Sequence, residues 1–251
     1  MRHKTRELLF MPKKNNVISL PDIVTNVTLL KLSHDIEELK NNQKKICEQA
    51  AKSMLRALDA KDHYTFGHSM RVAYYSLQLG QEIGLNDEEL YQLEMAALFH
   101  DIGKIGVPDS VLLKPSRLEE HEFQEMKLHP SKSYEILSDF EIFSDVALYA
   151  KHHHERYDGR GYPDGLKGED IPFFSRIILI GDTFDAMTST RPYRKGLSYD
   201  IAFNELKEFA GSQFDPKLVD HFINAMKKDQ AKKENTFSLR IIKGDFAKEA
   251  A

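Results

Sequence analysis

Three consecutive histidines, His152-His153-His154, run into Glu155-Arg156-Tyr157-Asp158-Gly159-Arg160-Gly161-Tyr162-Pro163. A run of imidazoles has no ordinary packing use, and histidine is the commonest side-chain metal ligand near neutral pH. The glycines and the proline that follow shape a tight loop. This stretch offers metal ligands at a helix end, beside a loop able to shape a substrate site. Other residues share that chemistry. His68 falls on an inward helical face, one turn before Val72, and the adjacent pair His100-Asp101 follows a buried apolar run, with Lys104 close behind. His129 precedes Pro130 at a helix junction, and Asp182 sits inside the apolar segment that starts at Phe173. A carboxylate or a His-Asp pair in such surroundings is costly unless something compensates it, and a metal does so. Adjacent helical residues point about 100° apart. His153 and His154 therefore suit two neighbouring ions, while His152 faces elsewhere.

His68, His100, Asp101, His129, His153, His154 and Asp182 are more ligands than one divalent ion needs. Two ions use them, with Asp101 as the bridge between the two. Mixed imidazole and carboxylate ligation suits iron, manganese, zinc or nickel without choosing among them. Two metals a few ångströms apart are a recurrent device for hydrolysing phosphate esters. Lys104, Arg191 and Arg194 supply positive charge for phosphate oxygens, and the planar guanidinium is well suited to that contact.

The elements that must position these groups read as helices throughout, an all-α chain. Residues 1–32, broken by Pro12 and Pro21, read as an N-terminal arm or a small regulatory remnant, with a short strand or mobile segment up to about Val27. Residues 33–60 read as a connector helix. Leu32, Ile36, Leu39, Gln43, Ile46, Ala50, Ser53 and Ala57 fall at alternating spacings of four and three, a heptad seam. That seam serves either a coiled coil that dimerises the protein or a helix lying on its own domain. Further helical patterns hold His68, lead into His100, end at His129, run from Asp145 to His154, and carry Asp182 with Asp185 in one long buried helix. Ser198 and Asp215-Pro216 open the last two. Residues 229–251 form a charged tail.

Composition narrows the class. The formal net charge of −4 over 251 residues advertises no surface for a nucleic acid polymer. A single cysteine, Cys47, excludes an internal disulfide and a cysteine-based metal site. No apolar run reaches the length of a membrane span and no signal peptide is evident, so a cytoplasmic location is expected.

Taken in order, His68, His100-Asp101-Ile102-Gly103-Lys104, His129-Pro130, His153 to Pro163, and Asp182-Thr183-Phe184-Asp185-Ala186-Met187 closely resemble the HD-GYP family. These bacterial proteins are a subgroup of the HD metal-dependent phosphohydrolases, and the resemblance covers roughly residues 51–228. It implies an HD-type helical bundle and a phosphodiesterase that opens cyclic di-GMP to pGpG, GMP or both, by attack of a hydroxide bridging two divalent ions, iron or manganese. It assigns metal-ligand roles to the seven residues already selected. It makes Asp101, Lys104 and Asp185 the catalytic candidates, Asp185 as an orienting carboxylate. Lys104, Tyr162, Arg191 and Arg194 become contacts to substrate phosphates and bases. Two departures stand out. Tyr64 occupies the position where some members carry a glutamate for a third ion, and Arg194 stands where lysine is common. Alternatives are a low-turnover cyclic-dinucleotide sensor, a module that binds signalling protein partners, or the same chemistry on another cyclic dinucleotide.

Overall fold

The computed structural model describes residues 20–61, 63–190 and 195–231. The readings made for Arg191, Arg194, the tail beyond residue 231 and the first nineteen residues lie outside them, as does the side chain of Tyr64. The chain divides into two compact units, residues 1–49 and 50–251. No strand occurs among the described residues, and none of their helices is long and apolar enough to cross a membrane.

Helix α1 spans Leu20–Lys61 and starts well before the expected residue 33. Pro21 stands in its first turn, where a missing N–H costs no helical hydrogen bond. The proline read as a breaker is thus a helix starter. Within the second unit, α1 buries Ala51, Leu55 and Leu58.

The second unit continues with α2 (His63–Glu82), α3 (Asp87–Phe99), α4 (Asp109–Leu112), α5 (Glu120–Met126), α6 (His129–Ser138), α7 (Ser144–Lys151), α8 (Phe173–Thr188), α9 (Tyr199–Glu208) and α10 (Pro216–Ala231). Asn86 caps α3, accepting from the amides of Glu88 and Glu89 while Glu89 accepts from the amide of Asn86. That capping box satisfies amides with no partner inside the helix. Beyond the cap, α3 is buried almost all round from Leu90 to Phe99. Helix α2 packs on α3, α8 and α10, and α6 packs on α7 and on the 3-10 helix Ile102–Gly106. Phe184 is fully buried at the heart of the second unit, its ring 4.8–5.7 Å from those of Tyr75, Tyr199, Phe203 and Phe222.

Helix α7 ends at Lys151, so the three histidines lie in the turn that follows it rather than in the helix. The expected helix to His154 is corrected on this point. Glycine carries a second positioning task. A methyl group on Gly103 would overlap the carbonyl of His129 and the amide of Ser133. Only glycine lets the turn after His100-Asp101 lie this close to α6, where Ser133 Oγ accepts from the Gly103 amide at 2.8 Å and donates to the His100 carbonyl at 2.9 Å.

Candidate metal centre

The end of α3, the start of α6, the turn after α7 and the inner faces of α2 and α8 meet at one place. His68, His100 and Asp101 form one group of potential ligands, and His129, His153 and His154 form another; within each, the ligand atoms lie within 4.8 Å of one another. Asp101 sits between the groups. Its Oδ2 is 3.3 Å from His100 Nε2 and 3.7 Å from His68 Nε2, while its Oδ1 is 3.1 Å from His129 Nε2 and 3.9 Å from His153 Nε2. Asp182 joins the first group, with Oδ1 3.1 Å from His68 Nε2. The structure thus brings together all seven residues selected from the sequence.

The imidazoles are aimed by the backbone. Nδ1 of His100, His129 and His153 donates to the carbonyls of Ala97, Met126 and Ala150 at 2.6–2.7 Å. A carbonyl only accepts, so the proton is on Nδ1 and the Nε2 lone pair points inward. Each partner lies three residues earlier at a helix end, where carbonyls have no amide partner within the helix. For His68 the orienting acceptor is Asp185 Oδ2, 2.7 Å from Nδ1.

Three observations fit a cation here. His100 Nε2 has no hydrogen-bond partner despite its burial. Asp101 Oδ1, though 3.1 Å from His129 Nε2, receives no aligned hydrogen bond either. His129 and His153 bring their Nε2 atoms to 3.4 Å of each other. Buried acceptors left in this state are costly in protein alone and are what a metal satisfies. The donor set, imidazole with carboxylate and no thiolate, suits a divalent transition metal.

The electrostatics of His153 and His154 agree with those positions. Burial, reinforced by the neighbouring His129, pushes His154 down to about 3, and burial with His154 holds His153 well below the ordinary imidazole range. Both are neutral, as ligation demands. Burial opposes the charge on His68, but the hydrogen bonds it donates to Asp182 and Asp185 outweigh it and raise the group to about 9. Burial likewise opposes ionisation of Asp101, yet Lys104 and His100 hold it well below the carboxylate range. Lys104 Nζ donates to Asp101 Oδ2 at 2.5 Å.

Asp185 is fully buried, and both of its oxygens are occupied. Oδ2 accepts from His68 and from Arg71 Nη2 (3.1 Å), and Oδ1 from Arg71 Nε (2.6 Å) and Ser189 Oγ (2.9 Å). Arg71 was missed from the sequence, although its signal was there. His68 and Arg71 stand three apart on α2, as Asp182 and Asp185 do on α8, so two facing helices pair at both levels. His152 turns away, its Nδ1 donating to the Leu148 carbonyl and its Nε2 2.9 Å from Asp164 Oδ2.

The loop after the histidines is held from two sides. Glu155 Oε1 accepts from the amides of Asp164 and Gly165, and the amides of Tyr157 and Asp158 donate to the carbonyls of Gln213 and Ser212. A methyl group on Gly161 would overlap the backbone at Glu155 and Arg156. The Tyr162–Pro163 peptide is cis. Tyr162 stacks on His154, with ring centroids 4.9 Å apart and 29° between the planes. Burial and then the charges of Asp182 and Asp101 raise its hydroxyl above the ordinary tyrosine range, which keeps it a hydrogen-bond donor. Lys127, also missed, places Nζ 5.6 Å from the centroid of that ring and 4.8 Å from that of Phe123. No carboxylate lies within ion-pair distance of it among the described residues.

Residues 52–218 match the HD domain family. The chain is 38% identical over 222 residues to the cyclic di-GMP phosphodiesterase response regulator RpfG of Xanthomonas campestris, covering 88% of this chain and 57% of that protein. It is 39% identical over 172 residues to a cyclic di-GMP phosphodiesterase of Thermotoga maritima, covering 66% of this chain and 46% of that one. The chain therefore spans about half the length of these curated relatives. Among solved structures, a cyclic GMP-AMP specific phosphodiesterase of Vibrio cholerae matches with a TM-score of 0.57 at 21% identity, over 81% of this chain and 52% of that one. That likeness establishes the helical fold.

Proposed function

The chain belongs to the HD domain family, and on that premise we propose that it is a metal-dependent phosphodiesterase hydrolysing cyclic di-GMP to pGpG, GMP or both. The observation that carries this reading is the position of Asp101, one oxygen toward each ligand group. His68, His100, Asp101 and Asp182 would hold one ion, and His129, His153 and His154 with Asp101 would hold the other. Two such ions, iron or manganese, supply a nucleophile from water at neutral pH and offset charge on phosphate oxygens.

The protein's own residues do the rest. Asp185 acts as a positioning residue: its buried oxygens face His68 and Arg71, so it orients a ligand and touches no substrate. Lys104 holds its charge beside Asp101. The protonated Tyr162 hydroxyl donates to a phosphate oxygen, and the Lys127 ammonium offers a second cation on the same side. Arg191 and Arg194, outside the described residues, stay candidates for phosphate contacts on their residue type alone. The names of the two sequence relatives favour cyclic di-GMP as substrate, and the structural neighbour makes a mixed cyclic dinucleotide the natural competitor. A cytoplasmic location suits a substrate of this kind.

The test is turnover by metal-loaded protein on cyclic di-GMP, cyclic GMP-AMP and a linear dinucleotide. Cyclic di-GMP is expected to have the highest kcat/KM. A faster rate on cyclic GMP-AMP overturns the substrate, and tight binding without turnover overturns the reaction.

A further inference from the structure

Along α1 the side chains of Leu29, Leu32, Ile36, Leu39 and Ile46 are between 45 and 68% exposed. Their spacings alternate between three and four, and the one missing place is taken by the polar Gln43. They form a single apolar stripe, and no described side chain covers it. Beyond residue 50 the helix buries a different face. Ala51, Leu55 and Leu58 enter the core of the second unit, while Ser53 and Ala57, in line with the stripe, stay exposed. From the helical repeat, the two faces lie about two-fifths of a turn apart. The stripe is thus separate from the face that anchors the helix to its own unit.

We propose that residues 29–50 pair with the same segment of a second copy in a parallel two-stranded coiled coil. Leu29, Ile36 and Gln43 take the a positions of a heptad, and Leu32, Leu39 and Ile46 the d positions. The central heptad places Ile36 at a with Leu39 at d, a pairing that favours two strands, and the one polar side chain at a, Gln43, fixes the register. Charge then chooses orientation. Asp35 falls at g and Lys40 at the following e. In a parallel pair each g faces the e five residues further along the second helix. Asp35 of one copy therefore meets Lys40 of the other, and the two-fold axis repeats the pair. An antiparallel pair sets g against g and e against e, which removes this match. The inference is independent of the chemistry at the metal centre.

Sedimentation equilibrium on the full chain at micromolar concentration tests it. The expected mass is twice the 28.9 kDa of one chain. Leu32→Glu with Leu39→Glu is expected to raise the dimer dissociation constant by at least ~100-fold, since charges replace buried seam residues. Far-UV circular dichroism and bound metal are expected to stay unchanged in that variant. Asp35→Lys alone and Lys40→Asp alone each weaken the dimer by roughly threefold to tenfold, and the double exchange restores it. A monomeric wild type whose stripe is protected from hydrogen exchange overturns the proposal in favour of a segment of the same chain as the cover. A dimer indifferent to the glutamates places the interface elsewhere. Failure of the double exchange to restore wild-type affinity rules out the parallel pairing.

Discussion

Asp185 on α8 accepts from Nδ1 of His68 on α2 at 2.7 Å, and the same carboxylate holds Arg71 one turn further along α2. One buried anion thereby sets the direction of a metal-facing imidazole and ties together the two helices that carry His68 and Asp182. Changing Asp185 to Asn keeps its size and removes its charge. Outer partners of metal-ligating histidines are commonly worth about 10–100-fold in metal affinity or activity. The variant is expected to fall by that much in kcat/KM. It is also expected to lose about 3 kcal/mol of stability, because Arg71 faces an uncharged partner in a half-buried setting. Wild-type metal affinity, measured by competition with a chelator, would show that His68 needs no such support.

Asp101 turns one oxygen toward each group of candidate ligands, so under the proposed two-ion reading its removal is expected to act on both ions at once. Asp101→Ala should lose turnover and most bound metal together, read by elemental analysis alongside rate. A variant that keeps two ions per chain would assign the bridge to another group.

Removing metal from the wild-type protein is expected to destabilise the fold without abolishing it, since the helical core has its own apolar packing. At a metal concentration 100 times the dissociation constant, binding contributes about 2.7 kcal/mol for each ion. For a domain of this size that corresponds to a fall in Tm of about 5–10 °C per ion on chelation. Calorimetry with and without chelator reads it directly, and an unchanged Tm would mean that the native state holds no metal.

Tyr162 stacks on His154 and keeps its hydroxyl protonated, which under the proposed function would join a metal ligand to the substrate. Tyr162→Phe keeps the stack and is expected to lower kcat/KM a few-fold, about 1 kcal/mol. Tyr162→Ala removes the ring from His154 and is expected to weaken metal binding as well. Equal metal affinity in the two variants would confine Tyr162 to substrate contact.

Lys127 is expected to bind substrate and leave the chemistry alone. Lys127→Met should raise KM by about tenfold with kcat nearly constant, the pattern of a contact equally strong in ground and transition states. Lys127→Arg, which keeps the charge, should recover most of the loss. A drop confined to kcat would place the ammonium on the reacting phosphate instead.

The candidate ligands were legible in the chain because their chemistry is local. His68, the His100-Asp101 pair, His129 before a proline and the histidine run have no packing purpose where they stand, and periodicity put most of them on inward faces or at helix ends. The helical class and the long helix carrying Asp182 followed from the same patterns. Other features needed distances between remote segments: which Asp101 oxygen faces which histidine, that Asp185 is shut behind His68 and Arg71, that Tyr162 lies on His154, and that Lys127 approaches the same ring. The end of α7 at Lys151 was also settled by the fold. Apolar periodicity says which side of a helix is buried, but not where its last hydrogen bond falls. Residue type and spacing determine what a side chain can do, whereas the crossing of α2 with α8 and the close approach of α6 at Gly103 determine which atoms meet.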